Sequence, residues 1–339
     1  MKIWNNRGKT LLLQGFFQYN LNLKVFFIKI IIDLNIDFMG FFKRFFGGKS
    51  ESSEDKKEDQ SAKNFEVLKY DGVRAMHQGQ MDYAIKCLTN ALQAKQVDEE
   101  GDASKEDQEV LEVRDFLSLA LIQKGELAQA YDQLRKLSEA QPDNKQIFVR
   151  MAEVTYMMED YGAMSHACEK GMIIDKDDAH LLFLYAKACL GQGDVINTIA
   201  MLTKSILLAE KQQEGLAQAV QSRLLRGETL LKLGDVKGAE EDAAWLLEQL
   251  EEPVEEVLLL EARILLAQGK MDDAISYYNK VIDVNPFSAI AFKERGAIYL
   301  AKGDKVNAEK DMQSYLEMNP QEADAVTGEF KAEGKEHCR

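Results

Sequence analysis

Residues 266–286 read LAQGKMDDAISYYNKVIDVNP. Gly269 stands where one helix would stop, the apolar Met271 follows two places later and Ala274 five places later, and Pro286 closes the stretch. Gly303, Ala308 and Pro320 repeat this pattern 34 residues downstream. Working outward, the same turn recurs at Gly79, Gly125, Glu159, Gly193, Gly234, Gly269 and Gly303. The gaps between these turns are 46, 34, 34, 41, 35 and 34 residues. A fixed period near 34 places a helix–turn–helix unit in each repeat, and the two long gaps mark insertions rather than a different period.

Each recurring residue has a physical role. The turn glycine relieves strain where the first helix of a unit ends. Proline cannot continue a helix, so Pro286 and Pro320 end the second helix and set up the next unit. Small residues, Gly72, Gly227 and Gly296 on first helices and Ala84, Ala239, Ala274 and Ala308 on second helices, let the two helices approach closely. Large residues such as Leu121, Leu265 and Tyr299 fill the remaining space. One unit cannot bury its apolar face alone, so stability must come from stacking neighbours.

With these residues in phase, the stretch 65–322 resembles the tetratricopeptide-repeat family. The sixth unit carries Gly269, Met271, Ala274, Tyr278 and Pro286; the seventh carries Gly296, Tyr299, Gly303, Ala308 and Pro320. Gly72, Gly79, Ala84 and Ala91 mark the first unit, Gly125, Ala130 and Pro142 the second, Gly193-Asp194 the fourth, and Gly227, Gly234 and Ala239 the fifth. The third is the most degenerate, with Glu159-Asp160-Tyr161 at its turn and Met164 where alanine is usual. No unit has the consensus tryptophan. The resemblance implies an all-α, right-handed superhelical solenoid of about seven helix pairs, near 65–98, 111–144, 145–178, 179–212, 220–253, 255–288 and 289–322. A capping helix and tail are expected over 323–339, since the last pair otherwise leaves an apolar face exposed.

Composition agrees with an all-α chain: the 339 residues include only four prolines, and Ala, Leu, Glu, Gln and Lys dominate after residue 60. The net charge is -15, but the first 50 residues, with eight Lys or Arg and two Asp, sum to +6 and leave -21 for the remainder. An acidic body repels phosphates and argues against nucleic acid as a partner. The four cysteines, Cys87, Cys168, Cys189 and Cys338, are irregularly spaced and form no disulfide framework, which favours a reducing, cytoplasmic compartment.

Residues 1–38 differ from the rest: they lack Ala, Glu, Ser, Pro and His, and crowd Phe, Ile, Leu, Asn and Lys together. They read as an extension preceding a natural start at Met39. Lys24, Lys29, Asp33 and Asp37 interrupt the apolar run that a membrane span would need, and no small-residue cleavage site follows. Residues 39–48, MGFFKRFFGG, form a short cationic aromatic element, with Phe41, Phe42, Phe45 and Phe46 on one face and Lys43 and Arg44 on the other. It reads either as a weak membrane-surface or docking tag or as an unstructured start. Residues 49–63 read as a flexible linker. Residues 97–107, VDEEGDASKED, read as a solvated acidic loop, and 211–219 hold the second insertion.

No catalytic constellation appears. His166, Cys168, His180 and Cys189 lack finger or ribbon spacing, and both cysteines fall at helix-packing positions. Gly48-Lys49-Ser50 ends like a phosphate loop, but Lys43 stands where its first glycine should be. No cofactor, metal or enzymatic activity is expected. The family resemblance implies a groove lined by first helices. Its candidate residues here are Lys69, Val73 and His77; Asp115, Leu119 and Ile122; Val149, Glu153 and Tyr156; Phe183 and Lys187; Leu224, Glu228 and Leu231; Leu259 and Arg263; and Ile290 and Lys293. Some members of the family clamp chaperone C-termini with lysines and asparagines. Lys69 and Arg150 match that clamp, but Val73 and Phe116 replace its asparagines and Gln146 its second lysine. The resemblance therefore implies an adaptor that holds an extended peptide or amphipathic helix by apolar anchors. The alternative is a membrane-associated assembly factor tethered through Met39–Gly48.

Overall fold

The computed structural model describes residues 53–95, 107–212, 215–252, 254–320 and 322. Among them fourteen α-helices follow one another and no strand occurs. They pair as α1 Ser53–His77 with α2 Met81–Ala94, α3 Gln108–Lys124 with α4 Leu127–Ala140, and α5 Lys145–Met157 with α6 Tyr161–Ile174. Then come α7 Ala179–Gly191 with α8 Val195–Ala209, α9 Leu216–Lys232 with α10 Val236–Gln249, α11 Glu255–Ala267 with α12 Met271–Val284, and α13 Ala289–Ala301 with α14 Lys305–Met318. From α2 onward each helix packs on its neighbours in the chain, and first helices of several neighbouring pairs also touch, as α5 does α7 and α9 does α11. The result is a solenoid of seven antiparallel pairs.

The turn within each pair is a backbone device. Gly79, Gly125, Gly193, Gly234, Gly269 and Gly303 adopt positive φ between 73° and 85°, and Glu159 does so at 59°. The residue after this turn then caps the second helix. Asp160, Asp194, Asp235 and Asp304 accept hydrogen bonds from the backbone N–H three residues on, at Ala163, Asn197, Gly238 and Asn307. Asp107, Asn144 and Asp178 do the same service for first helices α3, α5 and α7.

Close approach explains the small residues. A Cβ on Gly72 would lie 2.7 Å from the Leu88 side chain, and one on Gly227 would lie 2.9 Å from that of Leu260. Ala84, Ala130, Ala239 and Ala274 are fully buried at the crossings. Cys168 and Cys189 are also buried between helices, and the apolar surroundings push the Cys168 thiol up to about 12.

Two features depart from the sequence expectation. The first helix begins at Ser53, so it occupies most of the stretch assigned to a flexible linker. Residues 53–71 contain neither proline nor glycine and are rich in Glu and Lys, which favour a helix despite lacking an apolar period. The first helices after the two insertions are also longer, with 17 residues in α3 and α9 against 13 in α5, α7, α11 and α13. Part of each insertion is therefore an extra helical turn.

The core is continuous within blocks of pairs but changes character between α8 and α9. One apolar cluster runs from Leu111 to Ala188, and others run from Ala239 to Ile264 and from Leu258 to Ile298. Between them Ala179, Ala209 and Ala219 meet, with Leu208 and Trp245 against them. Hydroxyls complete this junction: Ser205 Oγ donates to the Ala179 carbonyl at 2.6 Å and lies 2.9 Å from Ser222 Oγ. Arg226 reaches across to Thr203 Oγ1 at 3.0 Å.

No described helix is long and apolar enough to cross a membrane. The segments 1–38 and 39–48, the acidic loop up to residue 106 and the tail 323–339 lie outside the described residues.

Candidate peptide-binding groove

The candidate residues sit on α1, α3, α5, α7, α9, α11 and α13, at a fixed offset before each turn. Glu153, Lys187, Glu228 and Arg263, for example, each precede their turn residue by six positions. The repeat therefore brings side chains 30 to 40 residues apart onto one face.

Polar groups on this face pair from helix to helix. Lys69 Nζ of α1 donates to Glu112 of α3 at 2.8 Å. Burial opposes the Lys69 charge, but the Glu112 carboxylate outweighs it and raises the lysine pKa. Asp115 of α3 pairs with Arg150 of α5. Glu153 of α5 lies 3.7 Å from His180 Nε2 of α7. Arg263 of α11 grips both oxygens of Glu294 on α13, at 2.8 and 2.9 Å, and Tyr278 Oη donates to the same carboxylate at 2.8 Å. The partners Glu112, Arg150, His180 and Glu294 are absent from the sequence-derived list. Lys69 and Arg150, the two positions that match a chaperone clamp, are both committed to neighbouring carboxylates.

The middle of the face is aromatic. Lys187 Nζ lies 3.5 Å from the Tyr156 ring centroid and 5.6 Å from that of Phe183, a cation–π arrangement. His180 stacks near Phe183 with centroids 6.4 Å apart, and its Nδ1 is 3.0 Å from Gln218 Oε1 on α9.

The remaining candidates divide by exposure. Val73, Leu119, Val149 and Leu259 are buried, so they pack between helices and offer a ligand little surface. Ile122, Leu224 and Leu231 are half-buried against the apolar clusters. His77, Ile290 and Lys293 are exposed, and Lys293 donates to Tyr315 Oη at 3.3 Å. Among the described residues, no group of three or more His, Cys, Asp or Glu is placed to hold a metal ion.

A stack of antiparallel helix pairs at this period, with one face running across its first helices, is a helical-repeat solenoid. Residues 259–323, which cover most of the last two pairs, match the family model of the tetratricopeptide repeat. The last two pairs are thus similar in sequence to the tetratricopeptide repeat.

Solved structures share the fold. A tetratricopeptide repeat protein from Parabacteroides merdae matches over 76% of this chain and 93% of its own, at 15% identity and a TM-score of 0.58. The pilF protein of Pseudomonas aeruginosa matches over 70% of this chain and 99% of its own, at 15% identity and a TM-score of 0.51. PilW, described as a widely conserved type IV pilus biogenesis factor, matches over 67% of this chain and 97% of its own, at 17% identity and a TM-score of 0.52. No curated protein matches the chain.

Proposed function

We propose that this protein is a non-enzymatic scaffold that holds a peptide segment of another protein across its first-helix face. The observation that carries this reading is the centre of that face. Tyr156, Phe183 and Lys187 lie there half-buried, on two rigid neighbouring helices, with aromatic and charged surface still reachable. Half-buried aromatic rings beside a charge supply apolar anchoring and orientation together, as peptide grooves require. The buried free thiols Cys87, Cys168 and Cys189 suit a reducing compartment, and a cytoplasmic location belongs to the same proposal. The tether through Met39–Gly48 rests on sequence alone.

The test is selection of binding peptides from a random displayed library, with the full chain as bait. Affinities are then measured by fluorescence anisotropy. Phe183→Ala is expected to weaken selected peptides at least tenfold. Ile173→Ser and Ile196→Ser, at exposed sites on second helices, should leave them unchanged. Peptides that respond to the second-helix changes and ignore Phe183→Ala would sink this reading of the face.

A further inference from the structure

Two opposite charges on neighbouring first helices stand, among the described residues, without a hydrogen-bonded partner of opposite charge. Lys187 of α7 has its Nζ over the Tyr156 ring, and among the described residues no oxygen accepts a hydrogen bond from it. The carboxylate that influences it, Glu153, also serves His180. Burial lowers the Lys187 pKa to about 8, with Glu153 pulling weakly the other way.

One pair further, Glu228 of α9 occupies the equivalent place, 41 residues on, as Gly234 is from Gly193. Among the described residues no donor reaches its carboxylate. Burial raises its pKa, against the pull of Arg263 and Lys232 and with help from Glu256. The equivalent positions on either side do have partners, since Glu153 faces His180 and Arg263 holds Glu294. Charges that are desolvated and left unmatched are costly in the free protein. A ligand that matches both removes that cost, and charge complementarity then selects for it.

Resting on the reading of this face as a peptide groove, we propose that its occupant is an extended segment with two opposite charges. A carboxylate side chain meets Lys187 Nζ, a cationic side chain meets Glu228, and apolar residues between them seat on Phe183 and Leu224. The spacing follows from geometry. Packed helices lie about 8–10 Å apart, and an extended polyproline-type strand rises about 3.1 Å per residue with three residues per turn. Groups three residues apart on such a strand therefore point the same way and span one helix step.

Fluorescein-labelled, capped hexapeptides test this on the full chain. In the first, an aspartate and an arginine stand three residues apart around a leucine–proline pair. In two others, asparagine replaces the aspartate or leucine replaces the arginine. In the fourth, the charge order is reversed. The doubly charged peptide is expected to bind at least tenfold more tightly than either singly charged one. Lys187→Met should remove the advantage of the aspartate, and Glu228→Gln that of the arginine. The double reversal Lys187→Glu with Glu228→Lys should switch the preferred charge order. Affinity for the aspartate peptide should fall as pH rises through about 8, where Lys187 loses its charge, and the Lys187→Met protein should lack this dependence. If peptides bind and respond to Phe183→Ala while the charge changes have no effect, the two-charge inference falls and the groove reading stands. If neither these peptides nor any library peptide binds, both fall.

Discussion

Asp242 accepts two hydrogen bonds from Arg226, at 2.8 and 2.7 Å, across the two helices of the fifth pair. Arg295 and Asp311 repeat the arrangement in the seventh pair at the same separation of 16 residues. The Asp242 side chain is fully enclosed, and Arg223 supplies a third bond at 2.9 Å. Removing the acid would leave two guanidinium groups without their shared partner. Asp242→Ala is therefore expected to cost about 3–5 kcal/mol. Replacing the set with well-packed apolar residues, Asp242→Leu with Arg226→Met and Arg223→Met, should recover most of that loss. Urea denaturation of the two variants checks both expectations.

Glu159 holds a left-handed backbone that six glycines hold elsewhere in the array. A side chain pays a steric penalty there of about 1–2 kcal/mol, partly offset by the greater chain entropy glycine loses on folding. Glu159→Gly should stabilise the protein by about 0.5–1 kcal/mol. Gly193→Ala, at φ 79°, should destabilise it. Thermal melts that rank these variants the other way would refute the backbone account.

His180 couples three successive first helices. Burial disfavours its charged form, but Glu153 on α5, the Gln218 oxygen on α9 and Asp178 at its own helix start outweigh this and raise its pKa above 6.5. The other charge on this cluster is Lys187, which shares Glu153. A raised folded pKa gives stability that is fully present below the unfolded value, near 6.5, and lost as pH rises through the folded one. The stability difference between the natural protein and His180→Gln should thus be largest near about pH 5 and shrink toward about pH 8. Glu153→Gln should flatten that profile, which denaturation across pH can measure.

Ala274 is fully buried at the crossing of α11 and α12, beside Leu258, Leu265 and Tyr278. Ala274→Phe should overpack that crossing and cost about 1–3 kcal/mol. An unchanged denaturation midpoint would mean that the crossing has room to spare.

The period was legible because the turn makes a backbone demand that shows in the residue type. Glu159 was found only through its spacing, since its own chemistry gives no hint of a positive φ. Tyr156, Phe183 and Lys187 were reachable by their fixed offset from the turns. Their partners were not. Whether Asp115 meets Arg150, or Arg263 meets Glu294, depends on the twist between helices about 30 residues apart in sequence. How far Val73, Leu119, Val149 and Leu259 are buried depends on how much of each first helix a neighbouring pair covers. The extra turns of α3 and α9 lie where the repeat itself is interrupted, so no neighbouring unit predicts them.

The alanine and serine junction between α8 and α9 has a mechanical consequence. In a stacked array, cooperativity is passed only through contacts between neighbours. Ala209, Ala219, Ser205 and Ser222 bring α8 and α9 close together, and the Ser205–Ser222 and Arg226–Thr203 hydrogen bonds tie the two helices. Under heat or tension the array should therefore hold at this junction and part first where α10 meets α11, whose contact is sparser. Lys187 and Glu228 lie on either side of the α8–α9 junction, so a segment gripping both would bind across a seam that is already firm.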